Sequence, residues 1–369
     1  MKLRYKIASA GFLLVAVAVL ASMVALSHTS PCQPASPLPA GTVSMKAAVH
    51  RCYGSPDVIT LEEVPKPVPT DNEVLVRVRA ASVNALDWHV LRGEPYIVRM
   101  DGGIGTPHNT GLGNDYAGTV EAVGKNVTRF KPGDDVFGSN SRGSFAEYVR
   151  AHEQGGIVLK PAQLSFEEAA AIPVAALTAL QALRDQGHVH AGQKVLVNGA
   201  SGGVGTFTVQ LAKALGAEVT GVCSTKNVEM VRSIGADHVI DYTHEDVTQG
   251  DQRYDVIIDN VATRSLAEFR HIMQPKGILV IVGAGKPGNW IGPFVSPLKA
   301  MMLEPFVSQE GGIFFASISR DDLGLLAGMA ASGKLKPVID RRYGLGDVRE
   351  AVRYVEAGHA RAKVVVTVP

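Results

Sequence analysis

The chain has 369 residues, with 36 Lys and Arg against 35 Asp and Glu and a formal net charge of +1. This length has room for two domains, and the balanced charge, without a basic stripe, argues against a nucleic-acid-binding protein. The three cysteines lie far apart and form no C-x-x-C pair, which argues against both a disulfide framework and a structural zinc site.

The amino terminus is strongly apolar. Basic residues precede Ile7–Leu26, a stretch of twenty positions without a charge. As a helix this stretch would be about 30 Å long, which is the thickness of the bilayer hydrocarbon. We therefore predict a hydrophobic helix within residues 1–30 that anchors the protein to a membrane, followed by a Pro/Ser-rich linker over residues 31–44.

Two alternatives to an anchor remain open. The first is a cleaved export signal, for which Ala25-Leu26-Ser27 offers a weak cleavage site. The second is translation from Met45, which would give an ordinary cytoplasmic enzyme. In either case the sequence predicts that the catalytic fold needs nothing before Met45.

After the linker, the predicted pattern of secondary structure changes once along the chain. Short alternating runs over Ala47–Arg79, Gly118–Val123 and Ala146–Val149, broken by Pro and Gly, predict a barrel-like catalytic domain over residues 45–164. From about residue 165, helices alternate with buried strands, which is typical of an α/β nucleotide-binding domain. The first helical stretch, Glu167–Gln186, contains Pro173 and is expected to kink or break there.

A glycine-rich turn follows the next buried strand. The sequence VLVNGASGGVGTFTVQLAKALG, from Val195 to Gly216, is typical of a strand, a tight turn and a helix. Such a turn lets the backbone approach a dinucleotide pyrophosphate at a helix N-terminus. Aligned with G-x-G-x-x-G, the motif begins at an alanine, so its first glycine is missing. We predict cofactor binding by Ala200, Ser201, Gly202, Gly203, Val204 and Gly205, with an ordinary tight turn as the alternative.

Cofactor preference is set after the next strand, Glu218–Cys223. An NAD enzyme usually places Asp or Glu here to bind the ribose 2′-hydroxyl. This chain has Ser224, Thr225 and Lys226, whose two hydroxyls and positive charge suit a 2′-phosphate. The sequence therefore favours NADPH, the alternative for Lys226 being a solvated lysine.

The remaining strands complete a doubly wound Rossmann domain over residues 165–337, and a closing part of the catalytic domain follows over 338–369. The predicted strands are His238–Tyr242, Asp255–Asn260, Gly277–Val282, Gly312–Ser319 and, returning to the catalytic domain, Ala362–Val368. Open α/β sheets bind ligands at the carboxyl ends of their strands, which adds Tyr242, Asn260, Gly283 and Ala284 to the candidate cofactor site. The apolar stretch Asn289–Glu310 is either a flap over substrate or packing between subunits, so a homodimer stays open.

Several segments together carry a family resemblance from Met45 to Pro369. MKAAVHRCYGSPDVITLEEVPKPVPTDNEVLVRVRAASVNALDWH, GNDYAGTVEAVGKNVTRFKPGDDVFG, AALTALQAL, GASGGVG and RAKVVVTV occur in the order typical of one superfamily. The chain resembles medium-chain dehydrogenases/reductases of the zinc-free quinone oxidoreductase and enoyl reductase branch. The resemblance implies a GroES-like catalytic domain and a reduced nicotinamide cofactor.

The same resemblance indicates which positions of this chain correspond to the zinc ligands of zinc-dependent relatives. Zinc-dependent relatives carry a cysteine in the segment Ser82–Asp87 and a His-Glu pair where this chain has Gly113-Asn114-Asp115. The corresponding positions here are Asn84 and Asn114, and an amide is a poor zinc ligand. We therefore predict no metal, and a reductase of quinones or α,β-unsaturated carbonyls, because their reduction leaves an anion that needs only a proton. The alternatives are a zinc-type alcohol dehydrogenase and a non-catalytic NADPH-binding sensor or structural partner at a membrane.

Three side chains are predicted to act beside the nicotinamide. Asn84 would orient the nicotinamide ribose or polarise the substrate carbonyl, unless it is a turn amide bonded to its own backbone. Tyr96 matches the proton-donating tyrosine of the zinc-free enoyl reductases, and a phenol with a pKa near 10 suits that task. Thr178 resembles the family threonine that contacts the nicotinamide side, the alternative being a bond to its own helix. Lys363 is expected to be a solvated lysine at a strand edge, the alternative being a contact with phosphate.

Overall fold

The computed structural model describes residue 17 and residues 19–283, 310–358 and 360–369. Its strands form a two-stranded, a six-stranded and a seven-stranded sheet. The strands are β1 Ser44–His50, β2 Ile59–Pro65, β3 Glu73–Val83, β4 Asp115–Val123, β5 Asp135–Ser139, β6 Tyr148–His152, β7 Ile157–Leu159, β8 Lys194–Asn198, β9 Glu218–Cys223, β10 His238–Asp241, β11 Tyr254–Asp259, β12 Met273–Ile281, β13 Glu310–Ile313, β14 Ile339–Gly344 and β15 Lys363–Thr367.

Helices pack against strands of both the six-stranded and the seven-stranded sheet. They are α1 Ala85–Arg92, α2 Arg99–Gly102, α3 Phe166–Ala170, α4 Pro173–Gln181, α5 Gly203–Ala214, α6 Val228–Ser233, α7 Leu266–Phe269, α8 Arg320–Ala331 and α9 Val348–Glu356. A further short helix spans residues 19–27.

The six-stranded sheet is the predicted doubly wound nucleotide-binding sheet. Its order is β10-β9-β8-β11-β12-β13, and every pairing is parallel. Strands buried on both faces read as continuous apolar runs, which is why β8 and β11 could be recognised from sequence. The order reverses between β8 and β11, and ligands of such sheets bind at that point.

The seven-stranded sheet is formed by the segments that the sequence predicts to be the catalytic domain. Its order is β14-β15-β3-β4-β5-β7, with β6 paired to β3. The carboxy-terminal β15 lies antiparallel to β3 and parallel to β14, so the last strand does return to this sheet as predicted.

Two helix boundaries have clear local causes. The predicted break at Pro173 is confirmed, because α4 starts at this proline after α3, which Ser165 and Glu168 cap reciprocally. Helix α5 starts at Gly203, three residues before its expected start at Thr206, so the last glycines of the motif belong to the helix.

The amino-terminal segment differs from expectation. Among the described residues no helix is long and apolar enough to cross a membrane, and residues 1–16 lie outside the description. The inference against disulfides was wrong, because Cys32 and Cys52 are bonded, with their Cα atoms 4.5 Å apart. Separation along the sequence misled that inference, since the linker runs back along the loop that follows β1. Residues 289–309 of the expected flap also lie outside the described residues.

Candidate functional site

The glycine turn after β8 forms a backbone cradle at the start of α5. Gly199 has φ +76°, the left-handed conformation that glycine adopts without strain, and it makes the turn for which the sequence alignment offered only Ala200. A Cβ on Gly205 would lie 2.1 Å from the carbonyl oxygen of Gly199, so the helix can approach the turn only with glycine there. Gly202 caps α5 without a side-chain hydrogen bond, which leaves the first N–H groups of this twelve-residue helix for an anion. Ser201, Gly203 and Val204 belong to the same turn.

Asn227 joins the two segments predicted to bind the cofactor. Its side-chain nitrogen donates to Ser201 Oγ at 3.1 Å and to Ser224 Oγ at 3.2 Å. The side chain is buried, and its Oδ1 has no hydrogen-bond partner within the described residues. The sequence analysis missed this residue, although an Asn directly after Lys226 at a helix start was the available signal.

A carboxylate also lies near the expected 2′-phosphate position. Thr225 Oγ1 is 2.9 Å from Thr243 Oγ1, and the hydroxyl of Thr243 donates to Asp241 at 2.7 Å. Desolvation would raise the pKa of Asp241, but hydrogen bonds from the two threonines outweigh it and hold that pKa below its usual range. Tyr242, by contrast, is largely exposed. The sequence analysis missed Asp241 because it belongs to the neighbouring strand, β10.

The carboxyl edge of β11 and β12 continues the cradle. Asn260 donates to the carbonyl oxygen of Asn198 at 3.1 Å, while its own buried Oδ1 lacks a partner among the described residues. A Cβ on Gly283 would lie 2.4 Å from the carbonyl oxygen of Asn260, so these strand ends approach closely. Ala284 lies outside the described residues. Two amide oxygens without partners in the described part of the chain, close glycine packing and a helix start without a side-chain cap fit a dinucleotide.

Asn84 lies in a buried cluster of charged and amide side chains. Its Nδ2 donates to Asp115 at 2.9 Å, and its Oδ1 accepts from Lys363 Nζ at 2.6 Å. Lys363 is 3.8 Å from the Asp115 carboxylate, and all three side chains are buried. The side-chain amide of Asn84 is thus bonded to Asp115 and Lys363, while its backbone N–H is bonded to Asp87 at the start of α1.

The expectation of a solvated Lys363 was wrong. The residue before it, Ala362, pairs with Gly202 and donates its N–H to Ser201 O at 2.7 Å, which covers the start of β15. The lysine stem then runs past the glycine turn, where a Cβ on Gly203 would lie 3.3 Å from Lys363 Cδ. Burial lowers the pKa of Lys363, and the charge of Asp115 opposes that shift.

The positions that hold zinc in zinc-type relatives are occupied by bonded amides. Asn114 donates to Asp87 at 2.8 Å, and the other oxygen of Asp87 accepts from the backbone N–H of Asn84 at 2.7 Å. Burial raises the pKa of Asp87 to about 7, and the nearby Asp115 carboxylate adds to the effect. The described residues contain no group of three or more His, Cys, Asp or Glu side chains able to hold a metal ion.

Thr178 connects to the same cluster through its helix. Its hydroxyl donates to the carbonyl oxygen of Val174 at 2.7 Å, one turn earlier, which is the alternative considered for this residue. The N–H of Val174 donates to Asp115 at 3.1 Å, so the start of α4 is fastened to the cluster.

Tyr96 starts a helical turn in the loop between α1 and α2. Its side chain is half-buried, and its ring lies 4.5 Å from the guanidinium carbon of Arg99. The buried Asn84 cluster and this loop are carried by the same catalytic sheet, at opposite ends of α1.

Comparison with known proteins agrees with this architecture. The family model described as an alcohol dehydrogenase GroES-like domain matches residues 70–162, and the one described as a zinc-binding dehydrogenase matches residues 234–366. The 2-methylene-furan-3-one reductase of Solanum lycopersicum is 34% identical over 87% of this chain and 79% of its own length. The NADPH-dependent alkenal/one oxidoreductase of Arabidopsis thaliana, a chloroplastic protein, is also 34% identical, with the same coverage.

A solved structure extends the comparison to three dimensions. The quinone oxidoreductase from Coxiella burnetii has a TM-score of 0.78 and 28% identity, covering 89% of this chain and 100% of that one. Both sheets, the glycine cradle and the sequence matches agree with one family. The chain therefore belongs to the medium-chain dehydrogenase/reductase superfamily and is quinone oxidoreductase-like.

Proposed function

We propose that this protein is an NADPH-dependent oxidoreductase that transfers hydride to a quinone or an α,β-unsaturated carbonyl without zinc. The observation that carries the proposal is the path of Lys363. Its stem lies against the glycine turn and its ammonium group bonds Asn84, so one side chain links the pyrophosphate cradle to the predicted nicotinamide end of the site.

Within the cluster, one hydrogen-bond donor of the Asn84 amide stays available for cofactor or substrate. Its oxygen is taken by Lys363, and one of its two N–H bonds is directed to Asp115. The second N–H is then the group with which Asn84 orients the cofactor ribose or polarises a substrate carbonyl. NADPH, when bound, supplies the hydride, and the residues of the cradle orient it.

Reduction of an enone leaves an enolate that must gain a proton. The half-buried phenol of Tyr96 is the proposed donor. A quinone needs this donor less, because its hydroquinone anion is a weaker base that water can protonate. We expect the two substrate classes to differ in their dependence on Tyr96 for this reason.

The donor set argues for zinc-free chemistry. Asn84 and Asn114 are both engaged as hydrogen-bond donors to carboxylates, and the positive charge in the cluster is the Lys363 ammonium. A zinc ion would have to compete with this ammonium for Asp115 with no thiolate or imidazole ligand in the cluster. Quinone reduction should accordingly survive chelation.

The direct test is a reductase assay beside a binding titration. NADPH oxidation is followed with small quinones and small enones, and NADPH affinity is measured on the same preparation before and after chelator treatment. Turnover that survives the chelator supports the proposal. Tight binding without turnover on either panel would favour the non-catalytic alternative, and loss of turnover with removal of one zinc per chain would favour the alcohol dehydrogenase type.

The proposal extends to the domain organisation and the amino terminus. We propose the boundaries 45–164, 165–337 and 338–369 for the catalytic, nucleotide-binding and closing parts, a membrane anchor within Ile7–Leu26, and leave the homodimer as an option. Support for the anchor is the uncharged stretch itself and the exposed Val19, Leu20 and Val24 of the described helix. An anchored protein should sediment with membranes and resist high-salt extraction, and one released by salt alone would lack the anchor.

A further inference from the structure

Arg99 is a buried cation that donates hydrogen bonds to two segments far apart in the sequence. The residue is 2% exposed and begins α2, directly after the loop that carries Tyr96. At the start of this loop, Gly93 O accepts from Nε at 2.8 Å, and Arg92 O, at the end of α1, accepts from Nη2 at 3.0 Å. The other guanidinium nitrogen, Nη1, is directed away from this loop.

The acceptors of Nη1 all belong to the amino-terminal segment. They are the carbonyl oxygens of Leu26 at 3.1 Å and His28 at 2.8 Å, and the hydroxyl of Thr29 at 3.1 Å. A buried guanidinium without such acceptors would be destabilised by uncompensated desolvation. These residues precede Met45, where the family resemblance begins, yet they complete the bonding of a residue inside the catalytic part.

Two aromatic rings connect Arg99 to the candidate active site. Its guanidinium carbon lies 4.4 Å from the centre of the Tyr53 ring and 4.5 Å from that of Tyr96. The hydroxyl of Tyr53 donates to Gly103 O at 2.8 Å, which fixes the chain directly after α2. The position of the Tyr96 ring therefore depends on where the guanidinium is held.

The amino-terminal segment is fastened at two further points. Ser30 donates its backbone N–H to Gly105 O at 2.9 Å, and Thr29 forms a parallel bridge with Gly105. The disulfide from Cys32 to Cys52 ties the segment to the chain directly before Tyr53. Residues 26–32, which we call the strap, thus contact Arg99, directly after the Tyr96 loop, and Gly105, beyond α2.

We propose that the strap is part of the catalytic machinery, and that Arg99 is a positioning residue through which it sets the geometry of Tyr96 for protonation of the substrate. This inference rests on the proposed function, in which Tyr96 protonates the enolate. It also replaces the expectation that the catalytic fold needs nothing before Met45.

The test loosens the strap in the full-length protein without touching Arg99 or Tyr96. Ser30→Pro removes the N–H that binds Gly105, and Cys32→Ser removes the covalent tie. Ser36→Pro, at an exposed position beyond the strap, is the matched control. NADPH affinity is measured for each variant to establish that the nucleotide site is folded.

We expect the Ser30→Pro/Cys32→Ser protein to reduce enones about tenfold more slowly, since small misplacements of a catalytic group have effects of this size. Quinone reduction and NADPH affinity should change less than twofold, and Ser36→Pro should match the wild type. A strap that only adds stability would slow both substrate classes alike or neither, and either result would overturn the proposal.

A double-mutant cycle separates this inference from the proposed function. If the strap acts through Tyr96, the strap changes should slow enone reduction no further in a Tyr96→Phe background. A further tenfold loss there would show that the strap acts elsewhere. If Tyr96→Phe alone leaves enone reduction unchanged, the proton-donor assignment fails, and the strap proposal fails with it.

Treatment with an external dithiol provides a second route, because it converts the Cys32–Cys52 bond to two thiols while the dithiol forms its own disulfide. The dithiol should slow enone reduction by the wild type, and it should not slow the Cys32→Ser protein further, because that protein has no disulfide to reduce.

Discussion

The ammonium nitrogen of Lys363 lies 2.6 Å from the side-chain oxygen of Asn84, although Asn84 directly follows β3 and Lys363 begins β15, far along the chain. The antiparallel pairing of β15 with β3 brings them together, since Val364 lies opposite Val83. The ammonium group of Lys363 can only donate hydrogen bonds, so the Asn84 amide must present its oxygen, and not its nitrogen, to the lysine.

Lys363→Met should lower the free energy of unfolding by about 3–5 kcal/mol, because it leaves the buried Asp115 carboxylate without its cationic partner. Urea denaturation at neutral pH measures the loss. Adding Asp115→Asn should recover part of it, since the uncompensated charge is then gone. Lys213→Met, which breaks the exposed pair with Asp237, is the control and should cost less than about 1 kcal/mol. Equal losses from the two lysine changes would contradict a special role for the buried cluster.

Lys226→Ala should weaken NADPH binding about tenfold or more and spare NADH, because one charge-assisted contact to the 2′-phosphate is lost. Fluorescence titration with both cofactors measures the difference. Asp241→Asn should act in the opposite direction and strengthen NADPH binding, since it removes a carboxylate beside Thr225 and Thr243. Lys334→Ala, an exposed lysine at the end of α8, should change neither affinity. Parallel weakening of NADPH and NADH by Lys226→Ala would argue against a 2′-phosphate contact.

Tyr96→Phe keeps the ring beside Arg99 and removes the proton donor. General acid catalysis contributes about 10²–10⁴-fold, so kcat for enones should fall by a factor in that range while NADPH affinity stays the same. Quinone reduction should fall much less. Steady-state kinetics on one substrate of each class measures the contrast. An equal collapse for both classes would indicate lost substrate orientation instead of lost proton transfer.

His50 should make the fold sensitive to acid. Burial lowers the pKa of His50 to about 4, and the hydrogen bonds with the backbone at Cys52 and Asn109 only partly oppose this. At pH values above about 6.5 the ring is neutral in both the folded and the unfolded chain. Between about pH 6.5 and 4 only the unfolded chain takes up the proton, so the free energy of unfolding should fall by about 3 kcal/mol in total as the pH is lowered.

Unfolding experiments across this pH window test the assignment to His50. His50→Gln should flatten the dependence between about pH 4 and 6.5, because the titrating group is gone. His271→Gln, at an exposed histidine, should leave the dependence unchanged. An unchanged acid sensitivity in the His50 variant would assign the effect to other groups.

Much of the nucleotide-binding part was predictable because its signals are local. Strand β9 has the predicted bounds, and Pro173 breaks the helix where the fixed φ of its ring allows a new helix to start. The turn was recognised from its glycines, although the residue in the left-handed conformation is Gly199. The cysteine inference failed for the opposite reason, since the proximity of Cys32 and Cys52 depends on the path of the chain and not on their spacing.

The sequence by itself determined the periodicity and the order of the elements, and through them the doubly wound sheet, the glycine cradle and the family. These properties follow from side-chain pattern and backbone restrictions within a few residues. Only the tertiary structure decided the bonding of Asn84, the burial of Lys363, the approach of Asp241 to Thr225 and the docking of residues 26–32 on Arg99. Each of these joins residues from different elements, and a buried polar group takes whichever partners the packed strands and loops bring within hydrogen-bond distance.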